Sequence, residues 1–134
     1  MGAWAVGHFD NDDALDWAIE LAAAPDTSAI ESALRVVVER SEAYLEATEA
    51  AQALAAAEVV ATLHGTGGPG LPADVDAWVA RHRPADGDLA VLALQAVRRV
   101  RLDSELKDLW GESDAAEDWN EAISDLEKRL IEIQ

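Results

Sequence analysis

Apolar residues recur along the chain at intervals of three and four, and no long run alternates with period two. That spacing lines one face of an α-helix, whereas a half-buried strand would alternate strictly. The clearest case is C-terminal, where Trp119, Ile123, Leu126, Leu130 and Ile133 form a single stripe. Leu89, Leu92, Ala93, Ala96, Val97 and Val100 predict a helix over about 86–102, with Arg98 and Arg101 on a different face. Ile30, Leu34, Val37 and Val38 predict another, beginning at Thr27 or Ser28. Residues 49–64 are apolar on nearly every side and predict the central helix. Ala50, Ala53, Ala57 and Ala61 share one of its faces, and their small size lets neighbouring backbones come close.

Capping chemistry sets the expected boundaries. Asp10 is expected to cap the first helix, with Phe9 stapled onto Ala14 and with Asp12 and Asp13 in the first turn facing the helix dipole. This helix should end near Ala23, before Pro25. Ser28 and Glu31 have capping-box spacing, and a break is expected between Ser41 and Thr48. The run Gly65 to Gly70 reads as the most flexible stretch. After it comes a short helix carrying Val75, Trp78 and Val79, bounded by Pro84. Ser104 should cap a turn that carries Leu106, Leu109 and Trp110 to a stop at Gly111. The expectation is an all-α fold: one helical bundle of about six helices over residues 1–134.

At 134 residues the chain is long enough for a self-sufficient core. It has no cysteine, which excludes disulfide scaffolds, thiolate metal sites and cysteine nucleophiles. Met1 to Trp4 lacks the basic flank of a signal peptide, and Val6 stands where a myristoylation motif needs a hydroxyl. The apolar stretch from Ala50 to Leu63 is interrupted by Gln52 and Glu58 and is too short to span a bilayer. A cytoplasmic protein without membrane contact is therefore expected.

The formal net charge of -17 has its acid surplus in residues 1–80 and 103–134, with an island of Arg81, Arg83, Arg98, Arg99 and Arg101 between them. An envelope this negative repels nucleic-acid phosphate and attracts a basic protein. No nucleic-acid partner is expected; the charge reads first as a source of solubility, and attraction for a basic protein partner is the sharper alternative.

Motifs for chemistry are sparse. Residues 65–70 match Gly-x-Gly-x-x-Gly as a string, but they follow a helix rather than a strand, so a plain connector is expected and no cofactor. Asp10, Asn11, Asp12, Asp13 and Asp16 resemble cation ligands, yet the fifth and sixth positions of a calcium loop would here be Ala14 and Leu15. Capping explains the cluster, and no metal is assigned. His8, His64 and His82 form no paired ligand motif, and no serine sits in a nucleophile elbow.

Glu58 is the charged residue that stands out, since Leu54, Ala55, Ala61 and Thr62 surround it at helical spacing. A carboxylate there needs partners. The preferred reading is that it accepts hydrogen bonds from backbone or from a tryptophan N–H of the amino-terminal loop; a general acid or base is the other. Four of the five tryptophans fall at helical spacing, while Trp4, between Gly2 and Gly7, either plugs the bundle or stands out as a binding anchor.

Met1-Gly2-Ala3-Trp4, Gly7, Phe9, Asp10 to Ala14 and Asp16-Trp17 together resemble a bacterial family defined as a domain of unknown function, number four-two-five-nine. The string Ala53 to Ala61, Ser104-Glu105-Leu106 leading to Trp110, and Trp119 ahead of Arg129-Leu130 are also similar to that family. The resemblance implies a small cytoplasmic bacterial protein and brings no activity with it. Two functions follow as expectations. One is a non-enzymatic acidic interaction domain, immunity- or antitoxin-like; the other is a small metal- or metabolite-binding enzyme built on the amino-terminal acidic loop. Candidate binding residues are Trp4, Asp10, Asn11, Asp12, Asp13 and Glu58, and no catalytic residue is assigned. A homodimer completed along the Trp119–Ile133 stripe is compatible with either.

Overall fold

In a computed structural model, residues 8–9, 11–39, 44–67, 71–82 and 87–133 are described. They form α1 (Asp12–Ala22), α2 (Ser28–Glu39), α3 (Ala47–Leu63), α4 (Ala73–His82), α5 (Gly87–Leu102), α6 (Glu105–Gly111) and α7 (Ala116–Glu132), and no strand is present among the described residues. The all-α expectation holds, with the short α6 bringing the described helices to seven.

A helix that is apolar all round must be buried on all sides. α3 meets that requirement by packing against each of the other six helices, with Ala50, Ala53, Ala57 and Ala61 among its buried residues. Around this axis α2 and α5 also pack on each other, α4 packs on α1, and α7 packs on α5 and α6. Trp119, Ile123, Leu126 and Leu130 are buried in this arrangement. The stripe that sequence alone could not separate from a dimer face is thus used within the chain.

Several caps differ from expectation. Asn11, not Asp10, caps α1: its backbone is extended and its side chain accepts a hydrogen bond from Ala14 N at 2.8 Å. Asp10 itself lies outside the described residues. At α2 the capping box is not formed; Ser28 N donates to Asp26 Oδ1 at 3.0 Å, and Glu31 pairs with Arg35 at 2.8 Å. Ser104 does cap α6, accepting from Lys107 N at 3.0 Å while its hydroxyl donates to Val100 O at 2.8 Å. Glu46 makes no side-chain cap for α3; Glu105 Oε1 accepts from Ala47 N at 2.9 Å instead, and Glu105 N donates to Leu45 O at 2.8 Å. The start of α3 is therefore satisfied by the first residue of α6, and the start of α6 by the connector that leads into α3.

The glycine run is not a loose tether where it leaves α3. Gly65 has φ 88, Gly65 N donates to Thr62 O at 3.0 Å and Thr66 N to Ala61 O at 2.9 Å. These are the paired bonds of a Schellman cap with glycine in the left-handed position. A Cβ on Gly67 would run into the Thr62 side chain. Gly111 is the last residue of α6, the expected stop, but the helix ends there without a left-handed turn, and a Cβ there would meet open space. Gly65→Ala is accordingly expected to cost about 1–2 kcal/mol. Gly111→Ala should be neutral or stabilising by up to about 1 kcal/mol. Urea-unfolding midpoints of the two variants check both signs.

Candidate functional site

Glu58 leaves α3 in the middle of its buried surface, and its side chain is 5% exposed. α7 brings Arg129 to it. Arg129 lies between the buried Leu126 and Leu130, so its stem follows the core edge while its head reaches across to α3. Arg129 Nη1 donates to Glu58 Oε1 at 2.8 Å and Nη2 to Oε2 at 2.9 Å, a bidentate pair. Nη1 also donates to Thr66 O at 3.1 Å, and Nε donates to Asp125 Oδ2 at 2.9 Å. All three guanidinium nitrogens are engaged. Burial works against the Arg129 charge, but the hydrogen bond and charge of Glu58, reinforced by Asp125, outweigh it and raise its pKa.

The amino-terminal segment reaches the same place through His8, whose Nε2 lies 3.3 Å from Ala122 O on α7. A carbonyl can only accept, so Nε2 carries the proton in this contact. Burial pushes the His8 pKa below its ordinary 6.5, and the nearby Glu58 charge offsets this only in part. A histidine whose pKa falls on folding takes up protons more readily unfolded, so this contribution is complete above the unfolded value of 6.5. It is lost as pH falls from there through the folded pKa. Wild-type protein should therefore lose more stability than His8→Gln between about pH 7.5 and pH 5.5, as read from paired urea titrations.

The structure joins only part of the expected site. Glu58 is buried and paired, with Arg129 as a partner that sequence spacing did not identify. Asn11 serves as a cap, Asp12 is exposed and Asp13 is half-buried in the first turn of α1. Trp4 and Asp10 lie outside the described residues. The other histidines have their own surroundings. The His82 ring stacks on Trp78 with centroids 4.0 Å apart. His64 ends α3, and its Nε2 is buried with no hydrogen-bond partner among the described residues. No group of three or more His, Asp or Glu among the described residues is arranged to hold a metal ion. Three arginines of the island are engaged within the chain: Arg98 and Arg101 both reach Glu127, at 3.3 and 2.8 Å, and Arg99 Nε donates to Asp103 O at 3.0 Å.

Arg129, Asp125, Thr66 and His8 are the members of the constellation that sequence reasoning left out or left unplaced. Arg129 did carry a signal, since it sits at the edge of the cleanest apolar stripe, one turn after Asp125. Its partner is 71 positions away and has no local signature.

No helix among the described residues is long and apolar enough to cross a membrane. Among known families, the model described as "Domain of unknown function (DUF4259)" matches residues 2–122. No curated protein and no solved structure matches the chain.

Proposed function

The chain belongs to the DUF4259 family, and we propose that it acts as a non-enzymatic acidic protein-interaction domain, immunity- or antitoxin-like, that covers a basic protein partner. In this reading it is a bacterial cytoplasmic protein. The observation that carries the reading is where its carboxylates stand. Glu58, buried on α3, is held by Arg129, whereas Asp12, Asp16 and Glu20 on α1, Asp74 and Asp76 on α4, and Glu117, Asp118 and Glu121 on α7 are exposed. Such a surface gives little affinity per charge but steers a basic partner and selects against acidic ones. Affinity purification of the tagged protein from its own cells, with mass spectrometry, tests this. A stoichiometric basic protein recovered at low salt and lost at high salt is expected. Recovery of the protein alone under both conditions would remove the reading.

A metabolite- or metal-binding role is the second reading, favoured by the approach of His8 to the Glu58–Arg129 pair. It requires that pair to open for a ligand. Isothermal titration with calcium, magnesium and manganese is expected to give no binding heat, and a saturable heat would favour this second reading.

A further inference from the structure

Among the described residues the two most exposed large apolar side chains are Ile19 on α1, 71% exposed, and Leu102 at the end of α5, 62% exposed. Each stands among charges of one sign. On α1, Asp12, Asp16 and Ile19 follow one another at helical spacing with Glu20 beside them, and all four are exposed. On α5, Val91, Arg98 and Leu102 are seven and four positions apart and share an outer face, next to Arg101.

The α5 face is basic and held in place. Arg98 Nε and Arg101 Nε donate to the two oxygens of a single carboxylate, Glu127 on α7, at 3.3 and 2.8 Å, and the Glu127 side chain is only 16% exposed. Two cations on one anion leave one positive charge uncompensated. Each arginine meets Glu127 through Nε, so its forked Nη end remains for a further carboxylate. Asp103, next along the chain, faces Arg99 at 3.8 Å. Because the shared carboxylate fixes both guanidinium groups, little ordering is left for a contact to impose. α1 and α5 do not touch within the chain, so the acidic face and the basic face cannot satisfy one another there.

We propose that the α5 face docks a second copy of this chain, whose α1 sets its aspartates on Arg98 and Arg101 and Ile19 against the apolar residues that flank them. Each copy carries both halves, so the contact runs head to tail. The Trp119, Ile123, Leu126 and Leu130 stripe is buried and takes no part. The contact does not depend on a basic partner. Copies with a formal charge of -17 each repel at long range. At about 0.15 M salt the Debye length is about 8 Å, which screens that repulsion while charges in contact still pair. Association is therefore strongest at intermediate salt and weaker on either side.

Sedimentation equilibrium of the full chain over a range of concentration and salt tests this. A mass rising with concentration above that of one chain is expected, most strongly near physiological salt. Reversing the basic face with Arg98→Glu and Arg101→Glu, or the acidic face with Asp12→Lys and Asp16→Lys, should weaken association more than about tenfold, because like charges then meet. An equimolar mixture of these two proteins should pair again, since each keeps the half that the other lacks. Ile19→Gln and Leu102→Gln, exposed and outside every ion pair, should each weaken association and decide the matter if the reversals fail to fold. A single-chain mass under all conditions, association unchanged in both glutamine variants, or reversed proteins that stay apart when mixed would overturn the assignment. So would a monomeric chain whose residues 91–102 shift on titration with an acetylated tri-glutamate peptide, which would give the face to a foreign acidic partner.

Discussion

Arg129→Ala is expected to lower the unfolding free energy by about 3–5 kcal/mol, the usual cost of removing one partner from a buried ion pair. The variant leaves Glu58, 5% exposed at its side chain, without the guanidinium that occupies both its oxygens. It also strips Thr66 O of a donor at the α3 cap and Asp125 of its partner. Arg129 keeps 16% of its side chain in solvent, so water entering the gap brings the cost toward the lower end. The double variant Glu58→Leu with Arg129→Met is expected to regain most of the loss, since an apolar pair of similar volume removes the desolvation penalty from both sides. Urea titration of the three proteins decides the matter. A loss below about 1 kcal/mol for Arg129→Ala would mean the pair behaves as a solvated surface bridge.

The other large effect is expected at Trp78, the largest fully buried side chain among the described residues. Trp78→Ala should cost about 3–5 kcal/mol through lost burial and the cavity left behind. For a domain of this size that corresponds to a fall of roughly 10–20 °C in melting temperature. Two further contacts go with it: Trp78 Nε1 donates to Ala24 O at 2.9 Å, and the ring stacks on His82 at an interplanar angle of 15°. Trp78→Phe separates the contributions, because it keeps an aromatic ring and removes the N–H. That change should cost about 1–3 kcal/mol, mainly from the carbonyl left unpaired after α1. Calorimetry on both variants provides the comparison. A smaller loss for Trp78→Ala than for Trp78→Phe would contradict this account of how α4 is fastened to α1.

Local signals were legible and long-range ones were not. Ser104 was readable as a cap because the serine, the following turn and its apolar residues lie within a few positions of one another. The amino-terminal cap was harder for the opposite reason. In Asp10-Asn11-Asp12-Asp13 every residue is a competent cap, and the choice of Asn11 follows from where α1 docks Ala14, Trp17, Ala18 and Leu21. At Gly65 the composition suggested looseness, while the backbone bonds of the Schellman cap make it a defined stop. Glu58 was identified as a buried carboxylate in need of partners. The bidentate partner described here, Arg129, comes from the far end of the chain, and helical periodicity reports which face a residue occupies but not what lies opposite.

Because α3 packs against the other six described helices and is buried from Ala53 to Ala61, its central backbone amides are shielded from water while the others stay in place. Its central N–H groups, from about Leu54 to Val60, should exchange with deuterium only when the whole molecule opens. Amides of α1 and α4, which also pack on each other at one side of α3, can exchange through smaller openings. The protection of α3 therefore serves as a direct readout of global stability, and a partner that grips only an outer helix would still slow exchange at this buried axis by mass action.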